Sequence, residues 1–61
     1  MKKFEIVALV EDKLGNKWKS YVEVESNNIY NAIVDGVAKL HNLETGLKCN
    51  LADVISATIC E

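Results

Sequence analysis

The sequence has few of the residues from which catalytic sites, metal sites and covalent cross-links are built. Its 61 residues include two cysteines, Cys49 and Cys60, and one histidine, His41. Two cysteines are too few for a disulfide framework, and with a single histidine they supply too few ligands for a structural zinc site. We therefore expect both thiols to stay reduced, and we predict neither a metal ion nor a cofactor.

Catalytic motifs are lacking as well. The chain has no glycine-rich phosphate loop, no CxxC pair and no GxSxG motif. His41 comes near the predicted end of a helix, where a cation is favourable, and no base is evidently paired with it. A thiolate nucleophile would need Cys49 or Cys60 to lie beside His41 or a lysine. We predict no catalytic residues and a protein that is not an enzyme.

Arginine is absent: all seven basic residues are lysine, against nine acidic residues, which gives a formal net charge of −2 and a pI near 5.3. Arginine is the usual residue for bidentate contacts to phosphates and bases. The composition therefore argues against a general nucleic-acid surface. A weaker alternative stays open at the lysine-rich turn, where an aromatic side chain between lysines could stack on a base; its residues are Lys13, Lys17, Lys19 and Trp18.

A long apolar run is also missing. No stretch approaches the roughly 18 apolar residues of a membrane span. The segment MKKFEIVALVED has a basic start and a short apolar run, but the run contains Glu5 and lacks a small-residue cleavage site. This pattern predicts a strand and not a signal peptide. We expect a cytoplasmic protein without a membrane partner.

What the sequence does contain is a hairpin pattern between Phe4 and Ser26. In the turn segment EDKLGNKW, Asp12 can accept a turn hydrogen bond and Gly15 supplies the positive φ of a bulged type I turn. Pairing Asp12 near Asn16 places one alternating set on the core face: Phe4, Ile6, Ala8 and Val10 with Trp18, Ser20, Val22 and Val24. A slip of one residue, to a Gly15-Asn16 turn, would exchange the two faces.

A helix follows, with Ser26 as the predicted N-cap and Asn27 and Asn28 able to share that role. Its apolar stripe has helical spacing and consists of Ile29, Ile33, Gly36, Val37, Leu40 and Leu43. Gly36 within the stripe indicates a close approach to a bulky sheet residue such as Trp18 or Phe4. Gly46 is placed to close the helix in the left-handed conformation.

The last strand, VISATICE, places Ile55, Ala57 and Ile59 on the side that should face the helix. The other side carries Val54, Ser56, Thr58 and Cys60. The first strand is apolar on both faces, as a central strand would be, so we predict the order 2-1-3 with antiparallel neighbours. The fold class is α+β: a single ββαβ domain over residues 1–61, with a three-stranded antiparallel sheet and one helix packed on one face.

One helix covers only one face of such a sheet. The uncovered face is predicted to expose an apolar patch, and such a patch on a small protein marks an interface; its members are Val7, Leu9, Tyr21 and Val54. A domain of this size buries only about 60% of the surface of its unfolded chain and is therefore marginally stable. Self-association would bury more surface and stabilise it. We expect a homodimer or higher oligomer, formed sheet on sheet or edge to edge, and binding to another protein.

The order of strand, acidic glycine-containing turn, strand, helix and strand is carried by FEIVALVEDKLGNKW, YVEVES and NAIVDGVAKL. In this order, in size and in acidity the chain resembles small phage-encoded accessory proteins, among them the phage inhibitors of uracil-DNA glycosylase. Those proteins are dimers that present carboxylates and aromatic rings to a host enzyme in place of DNA. The resemblance implies an inhibitor-like role in which the partner-binding carboxylates flank Tyr21: Glu5, Glu11, Glu23 and Glu25.

Overall fold

The computed structural model describes residues 1–60 and shows three strands and one α-helix. The strands are β1 (Lys2–Glu11), β2 (Lys17–Ser26) and β3 (Val54–Cys60), and the helix is α1 (Ile29–Leu40). A short 3₁₀ turn, Leu51–Asp53, precedes β3. The strands form one antiparallel sheet in the order β2-β1-β3, and α1 packs on it in contact with all three strands. The predicted ββαβ architecture is confirmed.

The hairpin has the register that its turn predicts. Val10 lies opposite Trp18 and Glu11 opposite Lys17, and the Asp12 N–H donates to the Asn16 carbonyl at 3.0 Å. Gly15 adopts the positive φ of 86° that the bulged turn requires. The alternative turn, slipped by one residue, is therefore excluded.

The core lies between β1 and α1. Every second residue of β1 from Phe4 to Val10 is buried, with Ile6 and Ala8 fully covered. Two clusters of buried side chains result, one around Phe4, Ile6, Val24 and Ala32 and one around Ala8, Val10, Val37 and Cys49. Trp18 shares this side of the sheet by its register, but 42% of its surface stays exposed. The helix is thus held mainly by aliphatic side chains of the central strand.

The helix begins after Asn28, one of the residues predicted to share the N-cap role with Ser26, and it ends earlier than the sequence pattern predicts. Asn28 is the N-cap, with its Oδ1 accepting from the Asn31 N–H at 2.8 Å, while Ser26 is the last residue of β2. At the other end His41 is the C-cap, and its N–H donates to the Val37 carbonyl at 2.9 Å.

The helix stops early because Asn42 starts a turn of its own. Its Oδ1 accepts from the Glu44 N–H at 3.0 Å, and its backbone pairs with Leu47 through hydrogen bonds of 2.9 and 2.8 Å. A short polar side chain that satisfies nearby N–H groups competes with continuation of a helix. Leu43 is therefore 71% exposed instead of belonging to the core stripe, and Gly46, with φ of 77°, serves this turn and not the helix end.

An irregularity in β3 changes which of its residues face the helix. Ile59 lies opposite Phe4 and Ala57 opposite Ile6, as predicted, but the register shifts after the Val7–Ser56 pair, so that Val54 lies opposite Ala8. The extra residue of such a bulge reverses the alternation beyond it. Val54 consequently packs against both buried clusters. Its predicted place on the uncovered face is wrong.

Gly36 lies where the helix backbone meets Ile6. A Cβ atom built on Gly36 would be 2.8 Å from Ile6 Cγ1 and 2.9 Å from Ile6 Cβ. The predicted close approach is confirmed, although the sheet residue is Ile6 and not Trp18 or Phe4. Because Ile6 Cβ is held by the central strand, this contact sets the distance between the helix and the sheet.

Gly36→Ala should therefore destabilise the protein, although alanine is the better helix former. The gain in helix propensity is about 1 kcal/mol, and overpacking costs about 1–3 kcal/mol. We expect a net loss of about 1 kcal/mol in thermal or urea unfolding, and a larger loss for Gly36→Leu. The exposed neighbouring substitution Asp35→Ala is the matched control and should be neutral or slightly stabilising. An increase in the unfolding midpoint of Gly36→Ala would contradict this account.

The hairpin turn depends on the charge of Asp12. Desolvation raises the pKa of this carboxyl, but hydrogen bonds from the Asn16 backbone and side chain and from the Leu14 and Gly15 N–H groups outweigh it, so that the pKa lies below its ordinary value of 3.8. A lowered folded-state pKa stabilises the protein above the unfolded-state pKa, and this contribution disappears as the pH falls through the folded-state value.

We therefore expect the melting temperature of the wild-type protein to fall as the pH is lowered below about 4, in the range where an ordinary aspartate titrates. Asp12→Ala should lower the melting temperature at pH 7 and should reduce this part of the pH dependence. Asp35→Ala, which removes an exposed helical carboxylate, controls for the change in net charge. Equal pH profiles for wild type and Asp12→Ala would show that the turn does not depend on this carboxylate.

Candidate functional site

The candidate site is the surface of the sheet that α1 leaves uncovered, which we call the open face. By register and alternation it carries residues from all three strands: Lys3, Glu5, Val7, Leu9, Glu11, Lys17, Lys19, Tyr21, Glu23, Glu25, Ser56, Thr58 and Cys60. Its centre is the pair of Val7 and Tyr21, which lie directly opposite each other. Tyr21 is 68% exposed and Leu9 is 36% exposed. The apolar part of the open face is therefore small and lies in its middle.

The two ends of the open face carry opposite charge. At one end Glu5 lies opposite Glu23 and Lys3 opposite Glu25. At the other end Lys17 and Lys19 lie two residues apart on β2, with Glu11 opposite Lys17, so that this end keeps a net positive charge. We call these the acidic end (Glu5, Glu23, Glu25) and the basic end (Lys17, Lys19). Such a gradient across one small face gives the molecule a direction for electrostatic recognition.

Within the acidic end, the charges are only partly balanced. Lys3 Nζ lies 3.8 Å from Glu23 Oε2, and both side chains are about half exposed. An exposed pair of this kind contributes little to stability. Glu5 and Glu23 lie directly opposite each other on neighbouring strands, and this pair of like charges is mildly unfavourable for the isolated sheet.

The structure brings together most of the residues that the sequence predicts for an interface. Val7, Leu9 and Tyr21 share the open face with all four candidate carboxylates, Glu5, Glu11, Glu23 and Glu25. Val54 does not belong to it, because the bulge in β3 turns Val54 toward the helix. Ser56 and Thr58 lie on the open face, as alternation predicts, and the bulge that removes Val54 from it has no signature in the sequence.

The residues of the nucleic-acid alternative are not brought together. Lys17 and Lys19 lie on the open face, while Trp18 between them lies on the helix side. Lys13 is in the turn, where its side chain lies against Gly46. A stacking aromatic and its flanking lysines therefore do not share one surface.

The strand edges differ in charge. The free edge of β2 belongs to a strand with two lysines and two glutamates, whereas β3 has no charged residue between Val54 and Cys60. Charged side chains on an edge strand hinder unwanted pairing with other strands. Ile55 and Ile59 of β3 are also about half exposed, at 48% and 47%. The β3 edge is thus the less protected of the two.

His41 and Cys49 lie together beside a shallow groove between the end of α1 and the 3₁₀ turn. His41 Nδ1 accepts a hydrogen bond from the Cys49 backbone N–H at 3.1 Å, so the imidazole supports the loop and does not contact the thiol through this bond. The Cys49 side chain is 2% exposed. Burial, together with the nearby Asp53 carboxylate, raises the pKa of the thiol, which keeps it protonated at neutral pH and thus a poor nucleophile.

Among residues 1–60, no group of three or more His, Cys, Asp or Glu side chains is arranged to hold a metal ion. Over the same range, no helix has the length and apolar character needed to cross a membrane. Comparison with known proteins gives no match to any family model, curated protein or solved structure. Any function must therefore be argued from the surfaces of this chain.

The two free cysteines should differ in reactivity. Cys60 is partly exposed and Cys49 is buried, with a raised thiol pKa. Under native conditions we expect a thiol reagent such as 5,5′-dithiobis(2-nitrobenzoate) to modify Cys60 first and Cys49 at least tenfold more slowly. Unfolding in urea should make the rates comparable. Cys60→Ser removes the fast phase in the native protein, and a fast phase that survives in this variant would show that Cys49 is accessible.

Proposed function

We propose that this protein is a small, non-enzymatic, self-associating protein-binding module of the cytoplasm, and that the open face is its binding surface. The observation that carries the proposal is the arrangement of this face. An aromatic and apolar centre lies between an acidic and a basic end, on the side of the sheet that no other element covers. The free thiols of Cys49 and Cys60 agree with a reducing compartment.

The size of the domain supports self-association. The chain has 61 residues, and the buried core contains only eight apolar residues in the part of the chain that the structure describes. Domains this small are marginally stable unless a metal, a disulfide or a second subunit assists them. Covering the open face removes the exposed parts of Tyr21 and Leu9 from water. A second copy is therefore the first partner that we propose.

The acidic end supports a further role toward a target protein. Glu5, Glu23 and Glu25 lie together beside Tyr21, which fits the resemblance to phage-encoded inhibitors that present carboxylates and an aromatic ring. The target would have a basic surface, because charge complementarity sets partner choice and association rate. The lysine-rich turn has less support as a nucleic-acid site, since Trp18 and its flanking lysines lie on opposite sides of the sheet.

The substitution Leu9→Glu tests the use of the open face. It places a carboxylate in the apolar centre of that face, where the charge would lose its water when the face is covered. We expect the dissociation constant for self-association to rise at least tenfold, measured by sedimentation velocity from micromolar to millimolar protein. Leu14→Glu is the matched control, since Leu14 is 86% exposed in the turn, and it should leave the constant unchanged.

Both variants should keep the wild-type circular dichroism spectrum, because neither side chain is buried. A wild-type protein with the monomer mass of 6.8 kDa throughout the concentration range would contradict the proposal. The same holds if Leu9→Glu associates as strongly as the wild type.

A further inference from the structure

The charged residues of β2 are spaced symmetrically about Tyr21, with opposite sign on its two sides. Lys19 and Glu23 lie two residues on either side of Tyr21, and Lys17 and Glu25 lie four residues away. All of these side chains point to the open face, since they share its alternation. Each lysine therefore has a glutamate at the same distance from the centre in the opposite direction along the strand.

The neighbouring strand has a related pattern about Val7. Lys3 and Glu11 lie four residues on either side of Val7, and Glu5 and Leu9 lie two residues away. Val7 is directly opposite Tyr21 in the sheet. The centres of the two patterns therefore lie side by side. A single two-fold axis that crosses the strands at this pair would relate the residues of both patterns to those of a second copy.

We propose that the partner of the open face is a second copy of this chain, stacked face to face with its strands reversed about that axis. The proposal rests on the proposed function and specifies the partner and its orientation. A two-fold interface brings the same patch of both subunits together. Tyr21 then meets Tyr21 of the second copy, Lys19 meets its Glu23, and Lys17 meets its Glu25.

On β1 the same axis brings Lys3 of one copy to Glu11 of the other, and Val7 to Val7. Each ion pair occurs twice by symmetry. One position is not complementary, because Glu5 meets Leu9 of the second copy.

The packing angle of the two sheets is compatible with these pairs. Aligned sheets pack with their strands about 30° apart, which displaces paired positions by about 3–7 Å over two to four residues. The long lysine and glutamate side chains span this distance.

The area of the face indicates how strong this dimer is. A strand of ten residues at about 3.3 Å per residue, in a sheet about 14 Å wide, presents roughly 460 Å² per subunit. This is below the roughly 800 Å² per partner of a stable complex. Exposed ion pairs each contribute about 1 kcal/mol or less. The dimer is therefore a weak, reversible one that forms in the micromolar to millimolar range and weakens as salt is added.

Charge exchange tests this geometry with a pair of double variants. The variant Lys17→Glu/Lys19→Glu makes the β2 face wholly acidic, and Glu23→Lys/Glu25→Lys makes it wholly basic. Each alone should associate at least tenfold more weakly than the wild type in sedimentation velocity at low salt. An equimolar mixture should form a heterodimer of wild-type strength or stronger, and the quadruple variant, in which all four charges are inverted, should again form a homodimer.

Controls with the same net charge lie away from the open face. Lys2→Glu/Lys39→Glu matches the acidic variant, and Asp35→Lys/Glu44→Lys matches the basic one; all four residues are exposed. Both controls should associate like the wild type. Circular dichroism of every variant checks that it is folded, and since the exchanged side chains are exposed, we expect folded spectra throughout.

Three results would overturn the inference. The first is a mixture of the two double variants that does not associate. The second is wild-type association in both double variants while Leu9→Glu still dissociates the protein, which would keep the open face as the interface but reject this orientation. The third is dissociation by Ile55→Lys on the β3 edge without any effect of Leu9→Glu or the charge exchange. This last result would reject the open face itself and would assign self-association to edge pairing.

Discussion

The contact of Gly36 with Ile6 is the constraint on which the rest of this small fold depends. With no Cβ at Gly36, the helix backbone reaches the central strand so closely that an alanine methyl would lie 2.8 Å from Ile6 Cγ1. That separation lets Ala32 and Val37 enter the two buried clusters on either side of the contact. Most of the apolar burial that offsets the ordering of the chain takes place here.

A single helix at that distance covers one face of the sheet and leaves the other in water. Antiparallel sheets tolerate this arrangement, with polar side chains on the open side. The bulge in β3 strengthens it, because the register shift moves Val54 from the open side into contact with the core. The open face is thereby less apolar than alternation alone predicts, and charged side chains form a larger part of it.

The features that could be predicted from the sequence are those determined by residues close together in the chain or by the composition of a single strand. The hairpin register was predictable because Asp12 and Gly15 determine it within five residues, and the strand order was predictable because β1 is apolar on both faces. The helix end was not, since the side chain of Asn42 competes with a propensity that continues to Leu43. The bulge was not predictable either, because it places Val54 opposite Ala8 and against the cluster around it, a contact between residues far apart in the chain.

The charge pattern of the open face is only partly explained by the stability of one chain. Within the sheet, Lys17 lies opposite Glu11 and Glu25 opposite Lys3, but Glu23 lies opposite Glu5 and Lys19 opposite Leu9. Two of the four charged positions on β2 therefore gain no favourable partner directly across the strand. When a second copy of β2 is placed against the first with its direction reversed about Tyr21, every charged residue of the strand meets a residue of opposite charge. The side of the sheet that does not build the core thus has a charge pattern of its own, and a second copy of the chain is the partner that we propose for it.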